Sequence, residues 1–151
     1  MSTLTKQYDN MTFHKTNILA KGYTARVYNI NNNNDYVVKK IHNHFVHFMM
    51  SFGVMFCSPR RAFKKEVKTT ILLSADNIAP KIIYYNYKKK YYVTEKMDYT
   101  LKDMIIDCMM TNEHKQKLKS LMNRLNNTKY RHLDLHNKNI MWSNKLNDFQ
   151  S

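Results

Sequence analysis

Cysteine is nearly missing from this chain. Its two cysteines, Cys57 and Cys108, are too few for a disulfide framework. No secretory signal opens the sequence, so a reducing intracellular setting is expected, the cytoplasm or nucleus of a cell. Long apolar runs are also lacking. The most apolar stretch, 45–57, is broken by His47 and Ser51 and falls far short of the roughly 20 residues that span a bilayer, so no membrane partner is expected. Acidic residues are scarce: 11 Asp and Glu against 25 Lys and Arg leave a formal net charge of +14. Such a balance attracts polyanions, whether nucleotide phosphates, nucleic acid, acidic proteins or anionic lipid. A single run such as Lys88–Lys90 can equally be a solvated turn.

Glycine and proline occur twice each, whereas Asn, Lys, Ile and Tyr are abundant. That usage is what A+T-rich coding produces, as in some large DNA viruses, and a viral protein working in a host cell is the expectation. At 151 residues the chain suits one domain, large enough to bury roughly two-thirds of its unfolded surface. No internal repeat is present, and the asparagine run 31–34 reads as a loop.

The order of elements predicts an α+β fold. Residues 12–28 read as two short strands around a turn at Lys21–Gly22, and Tyr36–Ile41 as a third, rich in β-branched residues. Ser58–Pro59 is a helix-start signal, and a helix is predicted from there to about Ser74. Phe63, Val67 and Ile71 recur every four residues and mark its buried stripe. Glu66 lies within the same arc and points inward, where a carboxylate needs a cationic partner. A hairpin is predicted over 81–96 around Lys88–Lys89. A helix is predicted over 99–110, and a stronger one over 112–126, capped by Thr111, with Leu118, Leu121, Met122 and Leu125 on one face. Residues 130–151 read as loop and short strand.

The sharpest motif is His132-Leu133-Asp134-Leu135-His136-Asn137-Lys138-Asn139. It resembles the catalytic loop of the protein-kinase family, in which an aspartate accepts the proton of the attacking hydroxyl and an asparagine five residues on reaches magnesium. The ordinary alternative is a polar turn, since Asp, His and Asn crowd turns as well. His136 in place of the usual lysine is similar to the loop of aminoglycoside and choline kinases. Leu19 to Tyr28 resembles the family's phosphate-covering loop, with Gly22 kept and Ala20 and Ala25 standing where glycines are usual. Tyr36 to Ile41 resembles the strand that carries the nucleotide-binding lysine, which by register is Lys39, with Lys40 on the opposite face. Tyr92 to Asp98 is similar to the strand and hinge that border the adenine pocket. Asp148-Phe149-Gln150 resembles the Asp-Phe-Gly magnesium motif, although it follows Asn139 by only nine residues; the other reading is a frayed tail.

The resemblance implies a two-lobe, protein-kinase-like α+β fold in a single domain over 1–151. An antiparallel sheet with one helix would occupy about 1–97, and a shortened helical lobe about 98–151. It implies ATP and Mg2+ as cofactors. Asp134, Lys39, Glu66 and His132 are the implied catalytic residues. Gly22, Val27, Lys39, Thr94, Glu95 and Met97 are implied to bind the nucleotide, and Asn139 and Asp148 the metal. The activation segment, the Ala-Pro-Glu anchor and the later helices of the family have no counterpart here. The expected activity is transfer of the γ-phosphate to a hydroxyl of a protein, in the manner of serine/threonine kinases, or of a small molecule. The alternative is a kinase mimic that binds a host kinase or its substrate.

Other constellations are weaker. His42, His44 and His47, followed by Cys57, lack the tight spacing of a zinc site. The stretch 45–57 is a candidate self-association patch. No nucleic-acid motif of defined spacing is present, which makes nucleic acid the lesser partner on this reading.

Overall fold

The structure is a computed structural model and describes residues 8–9, 11–22, 25–31, 33–41, 59–129 and 135–151. These fall into two compact units, Met1–Lys68 with Ile82–Glu95, and Thr69–Lys81 with Lys96–Ser151. The fold is mixed α and β with antiparallel sheets. Among the described residues, no helix is long and apolar enough to cross a membrane.

The first unit is built on a five-stranded sheet. Its strands are β1 (Ile18–Lys21), β2 (Ala25–Ile30), β3 (Asn33–Ile41), β4 (Ile82–Asn86) and β5 (Tyr91–Glu95), in the order β1-β2-β3-β5-β4. Every neighbouring pair is antiparallel. Side chains alternate between faces along a strand, so the register assigns them. Ala20, Val27, Lys39, Tyr92 and Tyr85 form one row across the sheet. Val37 and Thr94 stand opposite each other, two residues further along the same face.

That face carries helix α1 (Pro59–Ala75). Phe63 and Val67 are fully buried and pack with Ala25, Ile41 and Tyr92. The other face holds Tyr28, Ile30, Val38, Tyr91 and Val93. It is closed by Tyr8, Met11, Phe13 and Ile18 from the start of the chain. Tyr91 donates its hydroxyl to the Tyr8 carbonyl, and Tyr84 donates to the Asp9 carboxylate.

Ile71 does not belong to the buried stripe of α1: it is 41 % exposed. A strict four-residue repeat gains about 40° per step on a helix of 3.6 residues per turn, so Ile71 has turned roughly 80° from Phe63. Beyond Lys68 the helix belongs to the second unit, and there Leu73 is the residue that enters a core.

The second unit joins a three-stranded sheet to two helices. The strands are β6 (Tyr99–Thr100), β7 (Met141–Ser143) and β8 (Asp148–Gln150), and the helices α2 (Leu101–Ile106) and α3 (Asn112–Asn126). Thr100 and Thr111 cap the two helices, each in a reciprocal capping box. Helix α2 is shorter than the predicted 99–110. It ends in a left-handed Cys108 (φ 54°), and the Met109 amide bonds back to the Met104 carbonyl at 2.8 Å. Asn77 (φ 53°) does the same after α1, where Ile78 N reaches Leu73 O at 2.9 Å. With glycine so rare, asparagine and cysteine fill helix ends that glycine commonly takes. Leu121 and Leu125 of α3 pack with Leu101, Met104, Trp142 and Phe149 to form the core of this unit.

Candidate functional site

Lys39 and Glu66 meet on the helix-bearing face of the first sheet. Lys39 Nζ lies 3.0 Å from Glu66 Oε1, and the two side chains are 37 % and 33 % exposed. The pairing follows from both patterns. Strand alternation turns Lys39 toward the helix, and Glu66 precedes the buried Val67 on the inward side of α1. Lys40 faces the other way, its ammonium 4.1 Å from the centre of the Phe13 ring. A partly exposed ion pair adds only about 0–1 kcal/mol to stability, so its value lies in where it holds a cation.

Tyr92 is a third member that the sequence reading did not single out. Its hydroxyl donates to the same Glu66 Oε1 at 3.1 Å, and its ring stacks on Phe63 with centroids 6.2 Å apart. Burial raises the Tyr92 hydroxyl above the ordinary tyrosine range, so it remains a donor at neutral pH. Tyr92 and the Glu66 carboxylate hold the Lys39 ammonium above the ordinary lysine range, against the opposing effect of burial. The signal was available: alternation along 91–95 puts Tyr92 on the face of Lys39, one row from Thr94. Tyr92→Phe is expected to keep the ring packing and to cost about 1 kcal/mol for the lost hydrogen bond, read as a lower urea midpoint at unchanged slope.

Val27 is directly opposite Lys39 on β2, and Thr94 is buried on the same face. Gly22 closes the turn between β1 and β2, its amide donating to Ala25 O at 2.8 Å. A Cβ at Gly22 would sit 3.3 Å from that oxygen, so alanine there would crowd the turn. Glu95 ends β5 opposite Tyr36, and the chain passes into the second unit at Lys96. Met97 is half-buried in that second unit.

The motif around 132–139 is described only in its second half. Asp134 and His132 lie outside the described residues, as do His42, His44, His47, the stretch 45–57 and Cys57. From Leu135 onward the loop is a tight turn. Asn139 N donates to His136 O at 2.9 Å, and Lys138 N donates to His136 Nδ1 at 3.1 Å. Lys102 N binds Asn137 O at 2.9 Å, and Leu101 N binds Ile140 O at 2.8 Å, tying the turn to the start of α2.

Asp148 is not part of a frayed tail. It opens strand β8 opposite Ser143, and Phe149 beside it is fully buried against Trp142. Its carboxylate is engaged on both oxygens. Arg124 of α3 donates to Oδ2 at 2.8 Å, and the amide of Phe149 donates to Oδ1 at 2.8 Å. Arg124 carried no signal in the sequence, because a guanidinium on the flank of a helix is usually a solvated one. Among the described residues, no three His, Cys, Asp or Glu side chains group as a metal site.

No protein-family model and no curated protein matches the chain. Among solved structures, the chain is similar to WbdD in its co-crystal with the kinase inhibitor LY294002, at 19% identity and a TM-score of 0.55. The likeness takes in 86% of this chain and 30% of that one, so the chain spans under a third of WbdD. A likeness at this identity shows a shared fold.

Proposed function

We propose that this chain is an ATP-dependent phosphotransferase of the protein-kinase-like superfamily, moving the γ-phosphate of ATP to a hydroxyl acceptor. The observation that carries the reading is the Lys39–Glu66 ion pair, a lysine with a partly exposed side chain steadied by a carboxylate on the helix-bearing face of a sheet. A nucleotide fits the residues of the first unit. Lys39 offers a fixed positive charge to phosphate oxygens, Gly22 itself adds no side chain at the turn, and Val27 and Thr94 lie on the same face of the sheet as Lys39. Backbone groups of Glu95 and Met97 would bond the base edge. In this reading the first unit is the sheet lobe of a kinase-like fold.

Asp134 would accept the proton of the attacking hydroxyl, with His132 supporting the loop. Magnesium, when bound, neutralises charge building on the phosphates. Asn139 would be one ligand. Asp148 fits less well as it stands, because Arg124 and the Phe149 amide hold its oxygens. It would have to exchange the guanidinium for the ion. That engagement favours a second reading, a kinase mimic that binds a host kinase or its substrate without chemistry.

Transfer of label from γ-labelled ATP to a general acceptor protein, to small hydroxyl compounds or to the chain itself tests the proposal. The parent chain is expected to transfer label, and Asp134→Ala to lose at least about a hundredfold. Equal signal from parent and variant would leave the mimic as the better reading.

A further inference from the structure

The outer side of α1 carries a dense group of positive charges. Arg60, Arg61, Lys64, Lys65 and Lys68 are all exposed, and all belong to the first unit. At 3.6 residues per turn the five fall within an arc of about 140° that begins beside the buried Val67 at Arg60 and reaches the opposite side of the helix at Lys65. Glu66, the helix's sole acidic residue, lies outside that arc and is already held by Lys39.

This arrangement works against the helix that carries it. Arg60–Lys64, Arg61–Lys65 and Lys64–Lys68 are like charges four residues apart, a spacing that destabilises a helix. Arg60 and Arg61 also sit in the first turn, where the helix dipole favours acidic residues and none is present. Local stability therefore does not account for the pattern, whereas a polyanionic partner would relieve it.

The tip of the β4–β5 hairpin continues the same surface. Phe63 meets the Tyr87 ring edge-on at 5.9 Å, and Lys64 Nζ stands 5.5 Å from the centre of that ring. Tyr87 in turn packs on Tyr85 with centroids 4.8 Å apart, and Tyr85 is 43 % exposed. Lys88 follows directly in the turn and is exposed, while Lys89 donates its ammonium to the Asp9 carbonyl at 2.7 Å on the other side of the sheet. A cation-lined surface next to an exposed aromatic ring meets the two needs of an unpaired nucleic acid strand, phosphate neutralisation and a face on which a base can stack. A bilayer headgroup layer would use the same cations, so vesicles serve as the competing ligand in the test.

We propose that the outer face of α1 and the adjoining Tyr85–Tyr87 hairpin tip form a binding surface for single-stranded nucleic acid. The surface is separate from Lys39, whose ammonium is engaged on the inner side of the helix.

Fluorescence anisotropy with a labelled 20-nucleotide RNA and the matching DNA, single-stranded and duplex, tests this on the whole chain. Single strands are expected to bind more tightly than duplexes, with log K falling against log salt at a slope near −3, as about four or five phosphate contacts give. Lys64→Glu with Lys65→Glu and Lys68→Glu is expected to reduce that slope by about 2. Tyr85→Ala should weaken binding at least about fivefold, and Tyr85→Phe should not. Circular dichroism melts check that these exposed substitutions leave the fold intact. Mg-ATP at millimolar concentration is expected to leave the strand bound. Equal affinity for duplexes, no effect of Tyr85→Ala, or displacement by Mg-ATP would each overturn the proposal. So would tighter binding to phosphatidylserine vesicles, uncompeted by the oligonucleotide, which would assign the face to a membrane.

Discussion

Lys39→Met is expected to abolish phosphoryl transfer while lowering stability by no more than about 1 kcal/mol. The two effects separate because the Lys39–Glu66 pair is half-exposed, so water replaces much of what the ion pair loses. Methionine keeps most of the aliphatic stem against Tyr92, so packing changes little. What it removes is a positive charge held in place before any substrate arrives. Fixed charges of this kind commonly contribute a factor of at least about a hundred in rate. A thermal-shift series with Mg-ATP checks the binding half: the parent should gain stability at saturating ligand, and Lys39→Met should gain little. Loss of fold in Lys39→Met, or an unchanged response to Mg-ATP, would count against the assignment.

The pH dependence has a definite sign. The folded-state value of Lys39 is raised, so its contribution is fully present below the unfolded value of roughly 10.4 and is lost only as pH rises through the folded one. Between pH 6 and 9 Lys39 stays charged. Any limb of a rate profile in that range therefore belongs to another group, and a profile from Lys39→Arg should keep its shape.

Much of the first unit could be read from its residues. Alternation in 36–41 placed Lys39 and Lys40 on opposite faces, and the structure has them so. The helix 112–126 with its Thr111 cap emerges with the predicted bounds, because cap chemistry and a 3.6-residue apolar stripe agree there. The features that escaped depend on contacts distant in sequence. Tyr8, Met11 and Phe13 close the second face of the sheet, yet they show no periodicity that marks them as core. Arg124 and Asp148 are 24 residues apart, and only the folded second unit brings them together. Ile71 was misplaced for a geometric reason, since a four-residue repeat drifts around a helix and α1 serves two cores in turn. Asp148-Phe149-Gln150 matches a motif by residue type, and the register of β7 with β8 adds what residue type does not carry, a strand whose Phe149 packs inward.

Phe149→Ala gives the largest stability effect expected in the second unit, because Phe149 is fully buried against Trp142, 4.9 Å between ring centres, with His114 beyond at 6.3 Å. Removing a buried phenyl ring costs about 3–5 kcal/mol, and for a chain of this size that lowers the melting temperature by roughly 10 °C or more. A phenylalanine in a mobile metal-binding loop would cost far less, so the melt itself distinguishes a core strand from a ligand loop. Asp148→Asn completes the comparison. It keeps the size of the side chain and its place in β8 but discharges the partner of Arg124, for an expected cost of about 1–3 kcal/mol. If Asp148 exchanges Arg124 for magnesium when nucleotide binds, the asparagine variant also loses the magnesium-dependent part of the ATP thermal shift. If the Arg124 tie is permanent, that part is unchanged, and Asn139 and the neighbouring loop must hold any metal without Asp148.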